Sequence, residues 1–211
     1  MKTLKNQIVF VFSLLFCINS AWGQNPDYAD VAVIVNDNDS TSIAIGDYYA
    51  QVRGISANRI LHVQVPVAEE TDSLGFEDLR AQIEAELMMG GLLDTINYLV
   101  TTKGMPLRVS KHGGCDSALA NHGNGSFIGQ CTAVESELPL ILGAYSNEIL
   151  QDQYGTNPYQ GENAPFDRDL FEMFFVSRLD GNNLADVKQL IDRGGPDNTY
   201  YAPQSLSLIH I

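Results

Sequence analysis

Basic residues are scarce in this 211-residue chain. Twelve lysines and arginines stand against 26 aspartates and glutamates, for a formal net charge of −14. Residues 1–23 contain two of the lysines and no acid, so the rest carries 10 basic against 26 acidic residues, or −16. A chain with no basic face is a poor partner for nucleic acid or for an anionic membrane surface. Cysteine is almost as rare: beyond residue 23 there are only Cys115 and Cys131, so one bridge at most can form between them. Past the same point no apolar run approaches the ~20 residues of a membrane-spanning helix. Linkers, repeats and low-complexity tracts are also missing, which leaves a single domain.

What is present begins with the opening segment, MKTLKNQIVFVFSLLFCINSAWG. Lys2 and Lys5 precede an apolar stretch from Ile8 to Ile18, and Ala21-Trp22-Gly23 forms a small-residue cleavage pattern. Together these predict a secretory signal peptide over 1–23, and hence an exported chain. A lipid anchor on Cys17 is the alternative, but Phe16 is bulky where such motifs carry a small residue. The mature portion, 24–204, is long enough to bury one core, and its 45% apolar content suits one. The last seven residues, SLSLIHI, show neither cap nor periodicity and resemble a translated sequencing-adapter tail; a natural edge strand is the other reading. Residues 205–211 are therefore set aside, and the domain is expected to be incomplete at its C-terminal side.

Apolar periodicity gives the fold class. Residues 31–35 form an apolar run that stops at NDNDS. Ile45, Tyr48, Tyr49 and Val52 then mark a helix, with Ser40 or Ser42 as its cap and Gly54 as its stop. A β-branched run over 60–65 reads as a strand. Phe76, Leu79, Ile83 and Leu87 mark a second helix that ends at Gly90-Gly91, and INYLVTT follows as a third strand. Residues 132–144 are predicted helical, capped by Ser136 with Pro139 in the first turn. A fourth strand is expected over 171–177, then a helix striped by Leu184, Val187, Leu190 and Ile191. Residues 111–130 and 145–170 read as loops. Strands alternating with helices predict an α/β fold, a doubly wound and mostly parallel sheet of Rossmann-like or caspase-like type.

Parallel strands place their C-terminal ends along one rim, where open sheets bind ligands. Three polar clusters should meet there: Asp37, Asn38 and Asp39; Thr101, Thr102 and Lys103; Ser177, Arg178 and Asp180. The site candidates are Asp37, Lys103 and Arg178, with Asp39, His112 and Asp180 behind them. In one reading Lys103 and Arg178 hold an anionic group, while Asp37 or Asp39 handles a proton or a metal. In the other, the acids cap a helix and Arg178 pairs with Asp180 as part of the scaffold. Cys115 and Cys131 in an exported chain predict a disulfide; free structural thiols, or a nucleophilic thiol beside His112, remain as alternatives. Glu135 and Glu137 fit the first turn of a helix better than a catalytic role. His112, His122 and Asp116 lack a recognised metal-binding spacing, so no metal or cofactor is assigned. A small molecule, glycan or peptide is the partner class left.

Four blocks, DYYAQVRGISANRI, YLVTTKGMPLRVS, VESELPLIL and FFVSRLDGNNLADVKQLID, resemble in this order an uncharacterised family of exported bacterial proteins of unknown function. The resemblance covers most of 31–191. It implies a longer C-terminal region and carries no activity; Cys115 and Cys131 lie outside its pattern. A fainter similarity links the chain to gingipain-like cysteine peptidases, which also carry an arginine-containing turn between a sheet strand and a helix. That likeness implies a scaffold role for FFVSRLDG, with any catalytic dyad lying partly outside this sequence. If the chain is an enzyme, a hydrolase is expected; a non-enzymatic binding module is the alternative.

Overall fold

VAVIVN has no polar side chain until its last residue, which suits a strand covered on both faces. The computed structural model describes residues 28–110, 131–141, 158–163 and 166–194. In chain order it contains β1 (Val31–Asn36), α1 (Ser40–Arg53), β2 (Ile60–Val63), β3 (Glu70–Asp72), α2 (Ser73–Met89), β4 (Tyr98–Thr102), β5 (Arg108–Ser110), β6 (Cys131–Ala133), α3 (Val134–Glu137), α4 (Arg168–Phe171), β7 (Phe175–Leu179) and α5 (Leu184–Arg193). The main sheet has the order β2-β1-β4-β7, and every neighbouring pair is parallel. The expected α/β fold is the one the chain adopts.

Period-2 alternation divides β1 between two cores. Ala32 and Ile34 pack on the side of α2, whose Phe76, Leu79, Ile83 and Leu87 are fully buried. Each such side chain contributes roughly 2 kcal/mol of apolar burial. Val31, Val33 and Val35 face the other way, toward Ala50 of α1. Val187 and Ile191 of α5 close on Ile45 of α1. Helices thus lie on both faces, and α1 approaches β1 closely at Gly46, where an added Cβ would sit 2.2 Å from Val35 Cγ1.

Three expectations change. A second, smaller sheet, β3-β5-β6, was not expected: β3 and β5 had no assignment and β6 overlaps the expected helix; β3 and β5 are parallel, β5 and β6 antiparallel. Its strands are three residues long, too short to show periodicity. Of the helix expected over 132–144, residues 142–144 lie outside the described residues, and 132–141 holds only α3 and one 3-10 turn (Leu138–Leu140), because Cys131–Ala133 is drawn into pairing with β5 and Pro139 cannot donate to a continuing helix. Ala133, not Ser136, occupies its N-cap position. The fourth strand begins at Phe175 instead of residue 171. Asp167 accepts hydrogen bonds from the amides of Asp169 and Leu170, holding Phe171 in a short helix, and Glu172 ends it with φ of 51°.

Candidate functional site

Strand order reverses between β1 and β4. From β1 the chain passes to β2 on one side, then returns to place β4 on the other. Side loops diverge at such a switch point and leave a crevice at the C-terminal ends. A cavity of about 240 Å³ opens here. Segments following all four parallel strands line it: Asp39 after β1, Val67 to Glu69 after β2, Lys103 to Met105 after β4, and Asp180 after β7.

Asn36, the buried last residue of β1, organises this rim. Its Nδ2 donates to the carbonyls of Val65 (3.0 Å) and Gly104 (2.9 Å), while its Oδ1 accepts from the amides of Asn38 and Val65. One side chain thereby ties together the loops that follow three strands. Beneath it, the Asn36 amide donates to Ser42 Oγ at 2.7 Å, and Thr102 Oγ1 donates to the carbonyl of Ile34 at 2.9 Å. A hydroxyl has one proton to give, so in the 2.7 Å contact between them Ser42 donates to Thr102. Sequence reading passed over Asn36 as part of a polar run. The signal available was an amide, with both donor and acceptor, at the exact residue where an apolar strand ends.

Lys103 reaches the rim as expected. Its amide donates to the Leu179 carbonyl (2.9 Å), and Nζ meets Asp180 Oδ1 at 3.2 Å. Both side chains of this pair are about a third exposed, at 35% and 34%. A pair so placed contributes at most ~1 kcal/mol to stability. Asp39 caps α1 through Oδ1, which accepts from the Thr41 amide at 2.8 Å, yet the same carboxylate lines the crevice. Gly104 makes room for it: with φ of +97°, a Cβ there would lie 2.2 Å from Asp39 Oδ2. Of the six candidates, the structure brings Asp39, Lys103 and Asp180 together in one cavity.

Arg178 and Asp37 are placed differently. The guanidinium of Arg178, with the side chain only 12% exposed, donates through Nε to Glu135 Oε1 (2.7 Å), through Nη1 to the Met105 carbonyl and through Nη2 to the Pro106 carbonyl. Thr101 Oγ1 donates to the same Glu135 oxygen. These bonds pin the β4–β5 connection onto β7, so the scaffold reading describes Arg178; its partner is Glu135, with Asp180 at 4.0 Å. Asp37 turns away from Lys103 toward β2, where Oδ1 meets His62 Nδ1 at 2.7 Å. His62 was missed because one histidine in an alternating strand carries no signal until Asp37 is seen beside it. Ser177 lies within β7 opposite Val100, not at the rim.

His112 and Cys115 lie outside the described residues, and Cys131 opens β6. Among the described residues no group of three or more His, Cys, Asp or Glu side chains is set to hold a metal ion, and no helix is long and apolar enough to cross a membrane. Comparison of the chain with protein-family models, curated proteins and solved structures finds no match.

Proposed function

We infer that the protein is exported and binds a small polar ligand in the switch-point crevice, with Lys103 as the group that takes the ligand's anionic end. The observation carrying this reading is the convergence of four post-strand segments on a cavity in which Lys103 is the one basic side chain among the lining residues. Asp39, Glu69 and Asp180 surround it, which makes multiply charged phosphates poor ligands and favours a single carboxylate accompanied by an amine or hydroxyls. Amino acids and short peptide termini have that chemistry. The ammonium is the suitable cation because Arg178 has its donors committed elsewhere. The signal-peptide pattern of residues 1–23 supports export, and export supports a Cys115–Cys131 disulfide, which would contribute about 3 kcal/mol.

The test is calorimetry of the purified chain against amino acids, dipeptides and their amidated or acetylated analogues. A carboxylate-bearing member should bind, its amide should not, and Lys103→Ala should abolish the signal while leaving the melting temperature nearly unchanged. Binding that ignores Lys103→Ala would sink the reading.

A second reading, a hydrolase, is favoured by the Asp37–His62 pair on the same rim. A carboxylate on Nδ1 fixes the imidazole's tautomer and leaves Nε2 as the base. Turnover of a model ester that His62→Ala removes would support it.

A further inference from the structure

The other end of the sheet carries a second open groove, of about 450 Å³, well within the range of small-ligand clefts. Its floor is the α1 face of the sheet where the strands begin: Val31 pairs with Tyr98, which pairs with Phe175, and Val100 pairs with Ser177. Parallel sheets are ordinarily covered on both faces. Here Tyr98 and Phe175 remain 39% and 44% exposed. The rings of Tyr28, Tyr49 and Tyr98 line the groove, with Asp30 and Ser177 as the polar groups.

We propose that this groove is a binding site for a neutral saccharide, separate from the rim crevice and independent of what that crevice binds. A pyranose has apolar C–H faces and a hydroxyl edge. Aromatic rings offer surfaces for the first, and Asp30, Ser177 and the phenol groups offer acceptors and donors for the second. Charge narrows the class. Asp30 repels an acidic sugar. Beside the groove, the Arg53 guanidinium sits over the rings of Tyr28 and Tyr49, at 5.7 and 5.6 Å from their centroids, and its charge disfavours a cationic ligand. That guanidinium, bonded to the Ile191 carbonyl, also holds both tyrosines in place before any ligand arrives. Tyr98 is steadied by tilted contacts with Phe166 and Phe175 at 6.1 and 5.9 Å. Rings fixed in advance lose little freedom on binding, which suits weak-contact ligands such as sugars. Asp30 is oriented too, since Oδ2 accepts from Asn97 Nδ2 at 3.0 Å.

The experiment is saturation-transfer NMR and calorimetry of the full chain with hexasaccharides of glucose (α- and β-linked), xylose and N-acetylglucosamine, with oligogalacturonate and spermine as charged controls. At least one neutral oligomer should bind in the micromolar to millimolar range, and both charged probes should fail. Tyr98→Ala should weaken binding about tenfold. Ser177→Arg, at an exposed position, should block the groove without unfolding the sheet, as circular dichroism would verify. Lys103→Ala should leave saccharide binding intact, which separates this site from the rim. Absence of binding by every neutral oligomer, preference for either charged probe, or binding that survives both groove variants would overturn the proposal.

Discussion

Within the rim, neighbouring polar residues have opposite duties, and burial decides which. The side chain of Asn36, itself fully buried, satisfies four backbone groups: the carbonyls of Val65 and Gly104 and the amides of Asn38 and Val65. Truncation leaves those groups unpaired, so Asn36→Ala is expected to cost about 2–4 kcal/mol, measured by urea denaturation, although it removes no apolar packing. Gly104 is fixed by two independent constraints, a positive φ and the Asp39 carboxylate lying where a Cβ would go. Gly104→Ala should therefore destabilise the chain by roughly 1–3 kcal/mol and displace Asp39 from the crevice, lowering ligand affinity as well. A change in affinity without a change in melting temperature would show that only the carboxylate had moved. The sequence placed Lys103 correctly because a cation ending an apolar strand must reach water. It could not separate Asp37 from Lys103, since the choice depends on which neighbouring strand supplies a partner, and His62 on β2 does.

Among elements, the long periodic ones were legible and the short ones were not. The boundaries of α1 and α2 follow from their apolar stripes and from Gly54 and Gly90, and β1 follows from five consecutive apolar residues. In α1 the cap is Asp39, as the scaffold reading of the acids had it, and not Ser40 or Ser42. The β3-β5-β6 sheet has strands too brief for alternation to register, and its pairing joins residues far apart in the chain. Helix α1 also contains a glycine whose reason is invisible in sequence. Gly46 lies on Val35, so Gly46→Ala, which ordinarily stabilises a helix, is expected here to lower stability by about 1–3 kcal/mol, as a thermal melt would record. Stabilisation instead would mean that α1 does not press on β1 at that point.

Across the described residues, four parallel strands and helices on both faces bring the segments after β1, β2, β4 and β7 to one border, while Tyr98 and Phe175 at the strands' beginnings stay partly exposed. The polarity of that border was readable from strand-end residues. The assignment of roles along it was not, because Arg178 and Lys103 look alike until Glu135 is seen to claim one of them. That division of labour is the claim on which the reading of the crevice rests. Urea denaturation of Lys103→Ala and Arg178→Ala, side by side, tests it most directly. Lys103→Ala should lose at most about 1 kcal/mol. Arg178→Ala should lose about 3–5 kcal/mol or fail to fold, because it strands the Glu135 carboxylate and two carbonyls. Equal losses, or a larger loss from Lys103→Ala, would contradict the assignment of one cation to the ligand and the other to the frame.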